Sequence, residues 1–422
     1  MKSKRKLLIV VGAGSSVDFK MPSVSGVDKL LREVALQNCP LADDPSRSLY
    51  DHVHKTVSDF WIANDPGGKR GSGPNFEGIL YALYALAGTE IAGVLTSALP
   101  ALVDPKPLPD IMHLGRRSSV AGSVLNEVTS DLVDHIVKTF REKCSHADTH
   151  PAPEVAEFRG FLLALQEEFK IAVISLNYDN LIYRALPDLD TGFDIGGSGI
   201  FDQGRIFSSL SWSKLMHMHG SVHFDYISHR RDLHEIVWRE DLASMFRSAQ
   251  FGRTSSPEGV EFPTSTIIAG LGKPAQLLRT PFRTYYSALD RMVFESDALL
   301  IMGYGFGDHH LNQPFEKYRD SRNRPVVLID YASDNTLTAG SGGDEVLSAA
   351  FRALGWFDTP PCSMSWLGYS FPNNVTRLKA EKEFELSTDP KRPLAIWYGG
   401  MLDACRNADK IVRELRAPSV IS

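Results

Sequence analysis

Short apolar runs that end in glycine-rich or polar turns recur along this chain. Leu7-Leu8-Ile9-Val10-Val11 runs into Gly12-Ala13-Gly14-Ser15-Ser16, and Ile171-Ala172-Val173-Ile174-Ser175 runs into Leu176-Asn177-Tyr178-Asp179. Leu215-Met216-His217-Met218 leads to His219-Gly220-Ser221, and Ala298-Leu299-Leu300-Ile301-Met302 leads to Gly303-Tyr304-Gly305-Phe306-Gly307-Asp308. Runs without polar alternation fit strands buried on both faces, as in a parallel sheet covered by helices. Such sheets bind ligands at the carboxyl ends of their strands, so the four turns are expected to face one ligand. Further strands are predicted at Thr266-Ile267-Ile268-Ala269 and Pro325-Val326-Val327-Leu328-Ile329-Asp330, with an amphipathic helix starting near Pro281.

The alternation of strand and helix patterns predicts an α/β fold, a Rossmann-like parallel sheet built from residues 1–35 and 155–345. Residues 36–154 have a different pattern. Val124, Leu125, Val128, Leu132, Val133, Ile136, Val137 and Phe140 recur at helical spacing, which marks a large helical insertion. Asp65-Pro66-Gly67-Gly68-Lys69-Arg70-Gly71-Ser72-Gly73-Pro74 interrupts it as a loop, and a helix restarts at Asn75-Phe76-Glu77. Residues 224–264 form a small polar module with one strand-like piece, Glu235-Ile236-Val237-Trp238. Residues 346–422 are expected to form a C-terminal extension that ends in a helix over 400–415 and serves either oligomer contacts or core packing.

At 422 residues and 43% hydrophobic content, the chain has enough apolar material for a substantial core. A formal charge of −6 offers no general attraction for nucleic acid, and none is expected as a direct partner. The cysteines Cys39, Cys144, Cys362 and Cys405 are scattered, without a Cys-x-x-Cys pair, so reduced thiols are expected. The basic start, Met1-Lys2-Ser3-Lys4-Arg5-Lys6, precedes an apolar run too short for a secretory signal. With no apolar stretch of about 20 residues, a cytoplasmic protein without a membrane span is expected.

Gly12-Ala13-Gly14 fits a phosphate-binding turn, where glycine lets backbone approach an anion at a helix start. Val17 stands where a third glycine would complete the dinucleotide fingerprint, so a tight packing turn is the alternative. Asn177 and Asp179, two apart after a strand, either share a ligand or form an Asx turn or helix cap. His217, His219 and His223 raise the possibility of a metal site, but Asn177 and Ser221 would have no task there. No metal is expected.

Taken together, these anchors resemble the sirtuin superfamily, and more closely its bacterial branch of sirtuin-like NAD hydrolases in antiphage defence, across most of residues 5–335. Gly303-Tyr304-Gly305-Phe306-Gly307-Asp308-His309-His310-Leu311-Asn312 is similar to the Gly-Tyr-Ser-Phe-x-Asp-x-His-Ile-Asn pattern of that branch. Asn75-Phe76-Glu77 is similar to a Phe-Glu element in its helical insertion. The resemblance implies NAD, as substrate, bound by Gly12, Ala13, Gly14, Ser15, Ser16, Asn177, Asp179, Gly303, Tyr304, Gly305, Phe306 and Asp308. Its pyrophosphate would lie at the Gly12 turn and its adenosine near residues 303–306. Asn177 would hold the ribose and water, His219 would act as a base or hydrogen-bond partner at a ribose hydroxyl or the water, and Asp179 would orient the nicotinamide.

Two departures separate the chain from the protein deacylases of the superfamily. Met21-Pro22-Ser23-Val24-Ser25-Gly26 stands in place of their Asp-Phe-Arg element, and residues 224–264 lack their four zinc-binding cysteines. The resemblance therefore implies a zinc-free module and cleavage of NAD to ADP-ribose and nicotinamide, depleting NAD in antiphage defence. ADP-ribosyl transfer and a non-catalytic sensor of NAD or ADP-ribose are the alternatives. A homo-oligomer and a HerA-type ATPase or short Argonaute partner are further expectations from the resemblance.

Overall fold

The computed structural model describes residues 4–64, 74–89, 107–208, 212–230, 233–246, 249–255, 261–270, 273–317, 324–332, 375–386 and 394–416. Its strands in chain order are β1 Arg5–Val11, β2 Ile111–His113, β3 Arg116–Ser118, β4 Phe169–Ser175, β5 Lys214–His217, β6 Phe224–Arg230 and β7 Leu233–Trp238. Then follow β8 Ala249–Ser255, β9 Glu261–Ser265, β10 Ala298–Met302, β11 Val326–Ile329, β12 Glu385–Leu386 and β13 Leu394–Trp397. Seven of them form the central sheet in the order β12-β13-β11-β10-β1-β4-β5. All neighbours are parallel except the β12–β13 pair at the edge.

The expected parallel sheet is therefore present, and its register positions the turns. Val11 pairs with both Ser175 and Met302, Ser175 with His217, Met302 with Ile329, and Ile329 with Trp397. These strands end in one row, and the turns that follow them start side by side. From β1 the chain goes first to β4 and β5 on one side and later to β10, β11 and β13 on the other. This is the topological switch at which a crevice opens. Leu7, Leu8, Ile9 and Val10 are fully buried, as a central strand covered on both faces requires.

The helical insertion packs beside this crevice. Its longest helix, Gly122–Thr149, buries Leu125, Val128, Leu132, Val133, Ile136, Val137, Phe140 and Cys144 along one stripe, the spacing that brings one face of a helix onto a core. Asn75 Oδ1 accepts from the Gly78 amide at 3.2 Å and caps the helix Phe76–Thr89, which begins where expected. The proposed loop at 65–74 lies outside the described residues apart from Pro74. Within residues 224–264, β6 pairs with β7, and β8 pairs with β9, whose last residue is Ser265, as two antiparallel hairpins.

Two expectations about the ends of the sheet are corrected. Thr266-Ile267-Ile268-Ala269 is buried but joins no ladder; Ile267 makes an isolated bridge with Gly220, and the Ile268 amide donates to the His219 carbonyl at 2.8 Å. It braces the His219 turn. The sheet also extends beyond residue 345, because β13 adds in parallel to β11. The helix expected over 400–415 is two helices, Met401–Arg406 and Ala408–Leu415, separated at Asn407, whose side chain donates to the Asp403 carbonyl at 2.8 Å. Among the described residues, no helix is long and apolar enough to cross a membrane.

Candidate functional site

The first and last turns interlock through their glycines. The Gly12 amide donates to Met302 O and the Gly14 amide to Gly303 O, both at 2.9 Å. A Cβ on Gly12 would lie 2.6 Å from Gly303 O, and Gly303, at φ +56°, has no room for one against Ser15 N and the Gly14 backbone. Glycine is thus required here by backbone meeting backbone. The amides of Gly12, Gly14 and Ser15 all donate within the protein, the last to Gly12 O at 3.0 Å, so the tight packing turn is part of what these glycines do.

His219 lies just past the end of β5 and ahead of the small module, and Gly220 beside it takes φ +95° where a side chain would strike Thr266 O. His219 Nε2 lies 2.7 Å from Asp308 Oδ2, with both side chains buried. If Nε2 donates to the carboxylate, the neutral ring keeps its lone pair on Nδ1. Asp308 Oδ1 meanwhile accepts from the amides of His310 and Leu311 at 3.0 and 3.3 Å, capping the helix His309–Lys317. Its Oδ2 also receives Lys273 Nζ at 2.8 Å. Burial pushes the Asp308 carboxyl up, but the hydrogen bond from His219 and then the charge and hydrogen bond of Lys273 outweigh it and hold the group well below the usual carboxylate range.

The rest of the late motif holds Asp308 in place. Tyr304 Oη donates to Asn312 Oδ1 at 2.8 Å, and Asn312 Nδ2 donates to Phe306 O at 2.8 Å. Phe306 takes φ +55° and is almost wholly buried against the Tyr304 ring, with centroids 4.8 Å apart. It supports the loop from beneath. Asp308, expected to bind the dinucleotide, also pairs with His219.

Asn177 and Asp179 reach back to the first turn. Asn177 Nδ2 donates to Gly12 O at 3.0 Å, Ser16 Oγ at 2.8 Å and Ser15 Oγ at 3.3 Å. Asp179 Oδ2 accepts from Ser16 Oγ at 2.8 Å, and its Oδ1 accepts from the Leu181 amide at 3.1 Å, an Asx turn. Burial raises the Asp179 carboxyl despite these hydrogen bonds. Ser15 is buried and donates to Gly12 O at 2.7 Å.

The side chains converge on a cavity of about 440 Å³, ordinary for a small-molecule site. Gly12, Ala13, Gly14, Ser16, Asn177, Asp179, His219, Gly303, Tyr304, Gly305 and Asp308 line it; of the expected set, Ser15 and Phe306 do not. The helical insertion contributes Phe76, Glu77 and Phe140 to its wall. Lys273 and Asp330 also line it, and neither was expected. Asp330 had a signal: it is the first polar residue after the run Val326–Ile329, as Gly12 and Gly303 follow theirs.

The three histidines do not converge. His223 stacks on Trp238, with centroids 4.5 Å apart, and its Nδ1 lies 2.7 Å from Arg239 O. His217 sits among Phe224 and Trp238 with neither ring nitrogen hydrogen-bonded. Burial, reinforced by the nearby His223, drives the His217 pKa down to about 3, so it is held neutral. In the unfolded chain it titrates near about 6.5. The unfolded state therefore takes up more protons between these values, and the His217 contribution to stability falls as pH drops through that window. Urea unfolding of His217→Leu should lose less midpoint than wild type between pH 7.5 and 4.5. Parallel losses would show that His217 does not carry this effect.

A family model described as a SIR2-like domain matches residues 171–341, a range that takes in most of β4, the His219 turn and the Asp308 loop. No curated protein matches the chain. Among solved structures, a Sir2 homolog–NAD complex is 12% identical, aligned over 98% of this chain and 90% of that one with a TM-score of 0.35. A mutant Sir2 homologue in complex with 2'-O-acetyl ADP ribose is 13% identical, aligned over 78% of this chain and 80% of the other with a TM-score of 0.30. Scores this low add no argument of their own. The match to the SIR2-like domain takes in the Asn177, His219 and Asp308 turns of the cavity, while the Gly12 turn lies outside the matched range.

Proposed function

We propose that this protein binds NAD in the cavity at the strand ends and hydrolyses its nicotinamide–ribose bond. The observation that carries the reading is the buried His219–Asp308 pair, 2.7 Å apart, in the same cavity as Asn177. Breaking the bond sends its electron pair to the nicotinamide nitrogen, which leaves neutral, while positive charge develops on the ribose as in glycoside cleavage. The protein must hold the ribose, stabilise that charge and supply an oriented water. His219 accepts the proton of the water as it attacks the ribose carbon, and ionised Asp308 stabilises the resulting imidazolium. With Asn177 Nδ2 committed to the first turn, its carbonyl oxygen is the acceptor for a ribose hydroxyl or the water. Asp179, with both oxygens engaged, is a positioning residue that sets Ser16 and through it Asn177.

The test is to incubate the purified chain with NAD in ¹⁸O-labelled water and measure nicotinamide and ADP-ribose. Equimolar products with label in the ADP-ribose support hydrolysis. ADP-ribose found on a protein or nucleotide acceptor supports transfer instead, and binding without turnover supports a sensor. In this reading the protein acts as an NAD-depleting effector of antiphage defence, and assembly into an oligomer or with a HerA-type ATPase or short Argonaute raises its rate. Light scattering and NAD turnover, each measured with and without such a partner, test that part. Full turnover by an unassisted monomer would count against it.

A further inference from the structure

We propose that Lys273 receives the phosphates of the dinucleotide. This rests on the NAD reading and adds to it the group that offsets the pyrophosphate charge. The amides of Gly12, Gly14 and Ser15 already donate to protein carbonyls, so a phosphate at the glycine turn gains little from these three. The described lining also carries the carboxyl groups of Glu77, Asp179, Asp308 and Asp330, against a single Lys or Arg side chain, Lys273. A pyrophosphate with two negative charges entering such a wall meets repulsion unless a cation stands close to it.

Lys273 has the geometry to meet it. Its Nζ lies 2.8 Å from Asp308 Oδ2, the atom that also holds His219 Nε2 at 2.7 Å, so ammonium and imidazole meet on one oxygen. One ammonium proton serves Asp308; an ammonium has three, and its flexible stem can turn the others toward a phosphate while the first contact persists. The side chain is largely but not wholly buried, which strengthens its field and leaves it reachable. As a phosphate draws the ammonium toward itself, Asp308 is left more fully to His219. Substrate binding and the strength of the catalytic pair are thereby linked through one oxygen.

The experiment is calorimetric titration of the full chain with ADP-ribose and with adenosine, at low and moderate salt, for wild type, Lys273→Met and Lys273→Arg. Lys273→Met should weaken ADP-ribose binding about tenfold or more, flatten its salt dependence and leave adenosine affinity unchanged. Lys273→Arg should keep most of the affinity, because charge is the property required. Equal losses for ADP-ribose and adenosine would mean that Lys273 only shapes the cavity, and wild-type affinity for ADP-ribose in Lys273→Met would also overturn the proposal. If wild type binds neither ADP-ribose nor NAD, the dinucleotide reading fails and takes this proposal with it.

Discussion

His219→Ala should lower NAD cleavage by about a hundredfold to a thousandfold, the usual cost of removing one group that acts mainly in the transition state. The fold should survive, since the backbone contact that braces this turn, Ile268 N to His219 O at 2.8 Å, does not use the side chain. Asp308→Asn should fall into the same range. The amide keeps the shape but removes the negative charge that stabilises imidazolium, and it can also present a donor where Nε2 needs an acceptor. Because the two residues work as a unit, the double variant should be scarcely slower than the worse single one. Multiplying losses in the double variant would mean that His219 and Asp308 act independently, and the assignment of Asp308 as its partner would fall. Turnover of NAD with matched circular dichroism spectra measures all three.

The row of strand ends was legible because parallel strands buried on both faces leave a simple trace, an apolar run followed by a polar turn. Leu7 to Val11 and Ala298 to Met302 are of this kind, and both became central strands. The same trace misled at Thr266-Ile267-Ile268-Ala269, since burial alone produces an apolar run whether or not a neighbour offers a ladder. Leu394-Ala395-Ile396-Trp397 was overlooked for the opposite reason: four residues, far along the chain from β11, form a strand only because β11 presents an open edge.

Within the site, residue types could be read but their pairings could not. His219 and Asn177 stood out because each is a polar residue at the end of a buried run. Nothing local links His219 to Asp308, which lies 89 positions later, or either of them to Lys273. The contacts arise only when β5 and β10 are set on opposite sides of β1 and β4. The glycine turn shows the same limit. Its spacing suggests backbone pressed against a ligand, and does not reveal that the backbone of Gly303 is pressed against it as well.

That joint supports the remaining large effect. Gly303→Ala should destabilise the protein by about 3 kcal/mol or more, while Gly305→Ala, two residues away in the same motif, should change stability by less than about 0.5 kcal/mol. Gly303 has φ +56°, where alanine is strained, and its new Cβ would strike Ser15 N and the Gly14 backbone. Neither neighbour can yield without breaking the hydrogen bond from Gly14 N to Gly303 O or shifting the end of β1. Gly305 lies outside the left-handed region, and a Cβ there meets nothing within 4 Å. Urea unfolding of the two variants against wild type reads the difference directly. Equal stability would mean that the two turns do not interlock as described. A Gly303→Ala protein that unfolds as wild type but no longer binds ADP-ribose would show that the joint serves the ligand rather than stability.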